Sequence, residues 1–287
     1  MKKKVAVAVS LIVALVGLLL LLSFTVFSLK SVEVDFRTSH VHITATDDEI
    51  IETAGIKKGG SVFLHGKKKY VEKIENFSPY IKVINIETVF PSTFVVHLAE
   101  RQEIYAIPFE NGHYICDEEF RVLRIDNAFE STYSNAILLN PYSPITEIDL
   151  KEGDYIKNIE VPPIYQSFHE NNRSLAEQSE LIESITLTKE INAVTGKEQN
   201  VATLKLFSGQ TARIIKTERG LVAKVKLLLD AHCQLFEAVG KTLEKEDGNI
   251  VLTEDHLKTC TIEINSFYHP DHGADECYFD LIIVAEN

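Results

Sequence analysis

SPYIKVINIETVFPSTFVVHLAER, residues 78–101, contains two runs rich in β-branched and aromatic residues, separated by Pro91-Ser92-Thr93. Such residues are enriched in strands, and a short Pro-led turn between two runs of this kind is typical of a β-hairpin. The stretch therefore predicts two antiparallel strands, and the residues before it decide which fold they belong to.

One strand and two short helices are predicted before the hairpin. Alternation over Val32–Phe36 predicts the strand. Thr46 and Glu49 have the spacing of a capping box, and the apolar positions after them end at Gly55. Over Lys67–Phe77 apolar residues recur at helical spacing, which predicts the second helix. The order is strand, helix, helix, strand, strand.

The hairpin resembles the signature of the FtsQ/DivIB family of bacterial cell-division proteins, in which a Pro-aromatic-Val start, a central Phe-Pro and a closing Glu-Arg frame the same stretch. Thr46–Leu64 is similar to the family's helix and the segment that follows it. The Gly usually found after the first strand is absent at 37–40. The resemblance implies that residues 30–101 form a POTRA-like domain.

The N-terminus predicts a membrane anchor. Val5–Leu29 is 25 residues long without a charge, enough to cross a hydrocarbon core of about 30 Å. A cleaved signal peptide is the alternative, but its apolar region is shorter, about 7–15 residues. Because Lys2, Lys3 and Lys4 precede the span, residues 1–4 are expected in the cytoplasm and the bulk of this single-pass chain outside the cell.

Composition bounds the possible partners. Without the three leading lysines, the external part has 26 of the 29 basic residues and all 42 acidic ones, so its formal charge is −16. Such a surface repels nucleic acid. The four cysteines are far apart and contain no C-x-x-C pair, so buried free thiols and one or two disulfides both stay open.

The pattern of residues 102–287 predicts a second domain, built from a mixed β-sheet with packed helices. The predicted fold class of the external part is therefore α+β. Strands are expected at 181–188, 201–207, 261–265 and 277–284, with a polar loop at 267–276 between the last two. A helix is expected from about Gly220 to Val239, with Lys224 and Lys226 solvated. A further helix is possible within 164–180, in a segment that does not resemble the family.

Function is predicted to be binding rather than catalysis. The chain contains no G-x-S-x-G, Walker A, G-x-G-x-x-G or H-E-x-x-H motif. The resemblance implies a non-enzymatic scaffold of the division machinery that binds FtsL-like and FtsB/DivIC-like bitopic proteins and helps the septal wall synthesis machinery assemble. It also implies a location in the cell membrane at the division septum.

The resemblance further implies that a partner docks near the C-terminal strand, with the two aromatic residues as anchors. The predicted partner-binding residues are Tyr278, Phe279, Asp280, Leu281 and Ile282. Leu281 and Ile283 could instead belong to the core. His97, within the hairpin, is expected at a solvent-facing or edge position and is assigned no role.

A second hypothesis is a membrane-anchored, metal-dependent hydrolase acting on the cell wall. The C-terminal part gathers potential zinc ligands at His256, Cys260, His269, Asp271, His272, Asp275 and Cys277. Structural zinc sites usually have two pairs of closely spaced ligands, and here only His269-x-x-His272 forms such a pair. No cofactor or metal is therefore predicted.

Overall fold

A computed structural model describes the backbone of residues 2–38, 40–63, 65–129, 136–146, 149–243, 250–269 and 274–282. Side chains are described throughout these ranges except at 2–8, 243, 250, 267–269, 274–276 and 279–282. The chain divides into two compact units, residues 1–102 and 103–287.

The first unit contains three helices and three strands. In chain order these are α1 (Lys2–Thr25), β1 (Ser31–Phe36), α2 (Asp47–Ala54), α3 (Lys67–Phe77), β2 (Ile81–Val89) and β3 (Thr93–Glu100). The sheet order is β1-β3-β2, with β1 parallel to β3 and β2 antiparallel to it. The predicted hairpin and the order of elements are thereby confirmed.

Local chemistry sets the ends of α2 as the sequence predicted. The Thr46 side chain accepts a hydrogen bond from the Glu49 backbone, and the Glu49 carboxylate accepts one from the Thr46 backbone, so the capping box forms. These hydrogen bonds lower the pKa of Glu49. Gly55 ends the helix in the left-handed conformation, with φ 66°. The helices α2 and α3 pack their apolar faces, which include Ile50 and Ile74, on one side of the sheet.

His97 is buried, which corrects the expectation of a solvent-facing or edge position. Its strand, β3, is the central one of the three, and the residue is 6% exposed. Its ring nitrogens lie 2.8 Å from Asp35 Oδ2 on β1 and 3.1 Å from Glu87 Oε2 on β2. The side chain therefore links all three strands, and simple alternation failed because polar neighbours on both sides satisfy the ring.

The N-terminal helix α1 ends at Thr25, and the apolar residues after it belong to the first unit. Leu29 is 1% exposed in the core of that unit, with Phe27 packed beside it. Among the helices whose side chains the structure describes, none is both long and apolar enough to cross a membrane. The span predicted for residues 5–29 stays a prediction.

The second unit is built on a large mixed sheet. Its strands are β4 (Tyr105–Phe109), β5 (Gly112–Cys116), β6 (Val122–Asp126), β7 (Ile137–Asn140), β8 (Ile182–Ile191), β9 (Glu198–Leu206), β10 (Thr211–Ile215), β13 (Thr261–His269) and β14 (Ala274–Ile282). Their order is β14-β13-β10-β9-β8-β7-β4-β5-β6, with parallel pairs at β10/β13, β7/β8 and β4/β7. The α+β class with a mixed sheet is confirmed.

Helices cover one face of this sheet. They are α4 (Ile164–Glu170), α5 (Leu175–Leu181) and α6 (Leu221–Glu237); a short α7 (Glu254–Thr259) and the ribbon β11 (Thr242–Leu243) with β12 (Ile250–Val251) follow. On β9, Leu204 and Leu206 point into the core while Lys205 is exposed, so the sheet is apolar on the helix side and polar on the other.

The structure corrects two boundaries in this unit. The segment 164–180 holds two helices rather than one, because Asn171–Arg173 interrupt them and Ser174 starts α5 with its own capping box. The polar loop predicted at 267–276 is wrong for most of its length, because β13 and β14 pair from Thr261↔Ile282 to His269↔Ala274. Backbone pairing continues where the apolar pattern stops.

A residue with positive φ stands in the turn between β5 and β6. Phe120 has φ 60°, a conformation that glycine adopts more readily than other residues. Asp117 supports the turn, because its Oδ1 accepts hydrogen bonds of 2.9 Å from the backbone of Glu119 and of Arg121. The Phe120 ring stacks on Tyr105 at 5.5 Å between centroids. Side-chain support thus replaces the conformational freedom of glycine.

Candidate protein-binding edge

The candidate site is the end of the large sheet formed by β13 and β14. Within the described residues β14 is the terminal strand, next to β13, which pairs on its other side with β10. A terminal strand presents the backbone N–H and C=O groups that do not pair with its neighbour. The chemistry available at this edge is therefore backbone hydrogen bonding along a strand.

All five predicted partner-binding residues lie on β14. Tyr278 is 40% exposed and pairs in register with Asn265 on β13. The backbone of 279–282 continues the strand opposite Ile264–Thr261, but the side chains of Phe279, Asp280, Leu281 and Ile282 lie outside the described part of the structure. The structure thus brings the predicted residues onto one strand at the sheet margin and leaves the role of each side chain a prediction.

Ion pairs brace the polar face of the strands next to this edge. Arg213 on β10 contacts Glu190 Oε2 on β8 with Nη2 at 2.7 Å and Glu263 Oε2 on β13 with Nη1 at 2.7 Å. The guanidinium is about a third exposed, so solvent weakens these pairs, but their geometry holds β8, β10 and β13 at fixed spacing. The edge is thereby built on a laterally supported sheet.

A buried lysine supports the opposite, apolar face. Lys224 on α6 is 0% exposed, and its Nζ donates hydrogen bonds to the carbonyl oxygens of Ile215 at 2.7 Å and Lys216 at 2.8 Å. The predicted solvation of Lys224 is therefore wrong, whereas Lys226 is exposed as expected. Lys216 has φ 56° and donates through its own Nζ to Ser266 O on β13 at 3.0 Å. This links α6, the end of β10 and β13.

The burial of Lys224 has a signal in the sequence, which is its position in the helical repeat of α6. The residue falls between Leu221, Val225 and Leu228, which all line the buried stripe of α6. A charge at that position of the stripe predicts a buried, satisfied ammonium. What the sequence could not supply is the partner, because carbonyl groups at the end of a strand carry no residue-type signal.

A polar contact between His232 and Gln210 also connects α6 with the sheet. His232, on α6, has its Nδ1 2.6 Å from Oε1 of Gln210, which is 0% exposed and directly precedes β10. Burial, together with the positive charge of Arg173, lowers the pKa of His232. The imidazole therefore stays neutral at neutral pH and serves as a packing and hydrogen-bonding group.

The four cysteines, all within the described residues, form no disulfide in the structure. Cys116 and Cys260 are buried, and burial raises the pKa of each thiol. Cys233 is exposed on α6, and Cys277 is partly buried on β14. Burial in apolar surroundings makes Cys116 and Cys260 poor nucleophiles and suits them to packing.

The residues of the zinc hypothesis give no metal centre in the described part of the chain. No group of three or more His, Cys, Asp or Glu side chains converges there in a way that could hold an ion. His256 instead caps α7 through the Thr253 backbone. Asp271 and His272, with the side chains of His269 and Asp275, lie outside the described residues.

Comparison with known proteins identifies the first unit. Residues 27–101 match the family model described as POTRA domain, FtsQ-type. The matched range begins at Phe27, in agreement with the packing of Phe27 and Leu29 on the core of this unit. The prediction of a POTRA-like module is confirmed.

Two curated relatives are similar in sequence. The cell division protein DivIB of Clostridium acetobutylicum is 33% identical over 78 residues, which cover 27% of this chain and 31% of the relative. The cell division protein FtsQ of Corynebacterium glutamicum is 29% identical over 119 residues, which cover 41% of this chain and 51% of the relative. The chain thus spans about a third to a half of the length of the curated relatives it matches.

Proposed function

We propose that this chain belongs to the FtsQ/DivIB family and is a membrane-anchored, non-enzymatic scaffold that holds other division proteins together at the septum. The POTRA match and the two relatives support the family membership. A role in cell division is indicated by the relatives. The partners, the membrane location and the absence of catalysis are parts of the proposal.

The observation that carries the proposal is the position of β14 at the end of the large sheet. A partner segment in extended conformation can add to such an edge, with main-chain hydrogen bonds giving affinity and side-chain pockets giving specificity. FtsB/DivIC-like and FtsL-like bitopic proteins are the partners we propose. The negative charge of the external part favours a partner segment with basic residues.

The structure behind the edge favours a binding role. Lys224 fixes α6 to the end of β10, and Arg213 joins β10 to β13 on one side and, across β9, to β8 on the other, so β13 and β14 rest on an ordered support. A partner that adds to a preorganised edge has less ordering entropy to lose. Anchoring the chain in the bilayer through residues 5–29 would also raise its effective concentration toward other anchored proteins.

Two experiments test the proposal. A fluorescently tagged full chain should concentrate at mid-cell in dividing cells; an even distribution around the envelope of constricting cells would contradict the scaffold role. The second experiment is affinity capture of the bitopic partners by tagged full chain. Tyr278→Ala combined with Phe279→Ala should reduce capture strongly, because aromatic residues dominate interface energy.

The matched control for the capture experiment is Phe207→Ala combined with Phe236→Ala. Phe207 is 41% exposed, close to the 40% of Tyr278, and Phe236 is 49% exposed, but neither lies on β14. Circular dichroism should show that both double variants stay folded. Equal capture by the two variants would reject the β14 site.

A further inference from the structure

Three phenylalanines, one of them partly buried, form a cluster at the surface of the first unit. The ring centroids of Phe27 and Phe63 are 5.4 Å apart, those of Phe63 and Phe90 are 5.7 Å apart, and those of Phe27 and Phe90 are 6.1 Å apart. Phe63 is 59% exposed and Phe90 is 60% exposed. We call Phe27, Phe63 and Phe90 the aromatic cluster.

The cluster is joined rigidly to the end of α1. Phe27 accepts a backbone hydrogen bond of 2.9 Å from Val62, and Leu29 donates one of 2.8 Å to Gly60. The hydroxyls of Ser23, in the last turns of α1, and Ser61 lie 2.6 Å apart. The loop that carries Phe63 is therefore attached directly to the chain leaving α1, without a flexible linker between them.

Further exposed apolar residues adjoin the cluster along the chain. Phe24 and Val26, at and just beyond the end of α1, are 53% and 43% exposed. Val89, which precedes Phe90 in the hairpin turn, is 44% exposed. Exposed apolar residues grouped around an aromatic cluster mark a site of interaction with a protein or a membrane.

Charge favours a lipid partner. Between Lys30 and Arg101 the chain has ten basic and ten acidic residues, so the net negative charge of the external part resides in the second unit. Lys30, which follows the apolar run, and Lys57 and Lys58, which precede the Gly59-Gly60 turn, are all exposed. Aromatic side chains flanked by lysines are typical of segments at the boundary between headgroups and acyl chains.

We propose that the aromatic cluster inserts into the outer interfacial region of the same bilayer that α1 crosses and seats the POTRA domain against the membrane surface. The inference rests on the membrane anchor in the proposed function. Two contacts with the bilayer, the helix and the cluster, fix the orientation of the domain as well as its location. The expected occupant of the apolar surface is lipid, rather than a second protein.

The absence of tryptophan from the sequence allows a sharp test. The full chain carrying Phe90→Trp is reconstituted in phosphatidylcholine vesicles with doxyl-labelled acyl chains, after flotation shows that it is membrane-bound. We expect blue-shifted tryptophan emission, quenching by the lipid-borne doxyl group and loss of quenching by aqueous iodide. Phe63→Trp serves as a second reporter if the first variant does not fold.

The matched control is Phe77→Trp. Phe77 is 44% exposed at the end of α3, and β2, nine residues long and therefore about 30 Å, separates it from the hairpin turn. This reporter should be quenched by iodide and not by doxyl lipid.

The outcomes separate the two proposals. Iodide-accessible tryptophan at 90, or at 63 where the first variant does not fold, in chain that floats with the vesicles, would overturn the insertion of the cluster and leave the scaffold role intact. Chain that does not float would overturn the anchor and the insertion with it. Shielded tryptophan at 90, in a chain that captures no division protein, would support insertion and contradict the scaffold role alone.

Discussion

The ammonium of Lys224 donates a hydrogen bond of 2.7 Å to the carbonyl oxygen of Ile215, although the lysine is 0% exposed. A buried charge is costly unless polar groups replace its water shell. Here the carbonyl groups at the end of β10 supply part of that shell, because Lys216 turns the chain at φ 56° and aims its own carbonyl at the same nitrogen, 2.8 Å away. The contact fastens α6 to the strand beside β13.

Replacement of Lys224 should destabilise the second unit. Lys224→Met keeps most of the volume but removes the donor from two carbonyl groups, so we expect a loss of about 2 kcal/mol in the free energy of unfolding. Chemical denaturation of the purified chain in detergent, followed by circular dichroism, measures it. Lys226→Met, on the exposed face of the same helix, should change the value by less than about 0.5 kcal/mol. Equal stability of the two variants would contradict the assigned contact.

The sequence was sufficient where local chemistry sets the structure. The capping box at Thr46, the helix Lys67–Phe77 and the hairpin around Pro91 all follow from residue type and spacing, and the structure has them. Each of these elements is specified by neighbours within a few positions, so tertiary context had little to change.

The sequence was insufficient where pairing across the chain decides the outcome. His97 is buried because Asp35 and Glu87 come from other strands, and β7 (Ile137–Asn140) is a strand because it pairs in parallel with β4 and β8. The candidate edge shows the same division. Strand character near Tyr278 was predictable, whereas the position of β14 at the end of the sheet follows from long-range topology.

Acid should weaken the second unit through His232. Burial lowers the pKa of this imidazole in the folded state below its usual 6.5, so the unfolded chain binds the proton first as pH falls. The contribution of the neutral His232 to the free energy of unfolding is therefore fully present above pH 6.5 and is lost as the pH falls through the lowered pKa of the folded state. We expect the free energy of unfolding of wild-type protein to decline more between pH 8 and pH 5 than that of His232→Gln.

Denaturant titrations at several pH values measure this difference. The comparison at pH 8, where the imidazole is neutral in both states, gives the packing cost of the substitution alone. A constant offset between wild type and variant across the whole range would show that His232 does not titrate differently in the folded state.

Thiol reactivity should follow burial. In a Cys277→Ser background, Cys233 should react rapidly with a maleimide at pH 7.5, because it is exposed on α6. Burial raises the pKa of Cys116 and of Cys260, so neither supplies thiolate or access to the reagent in the folded protein. Mass spectrometry should find one label on native protein and three after unfolding. Adding Cys233→Ser should abolish the native label; rapid labelling of Cys116 would contradict its burial.

Hydrogen exchange should locate partner binding at β14. In an antiparallel pair the backbone groups of alternate residues point toward the neighbouring strand, so about half of the β14 amides bond to β13 and about half face away. The first half should exchange slowly in the free chain. Addition of an FtsB/DivIC-like partner from the same organism should slow the second half within Cys277–Ile282, because a strand added to the edge accepts their hydrogen bonds. The strand β6 (Val122–Asp126), at the opposite end of the sheet, is the internal control and should not change. Protection that develops at β6, or equally over the whole sheet, would place the partner elsewhere or indicate general stabilisation rather than strand addition.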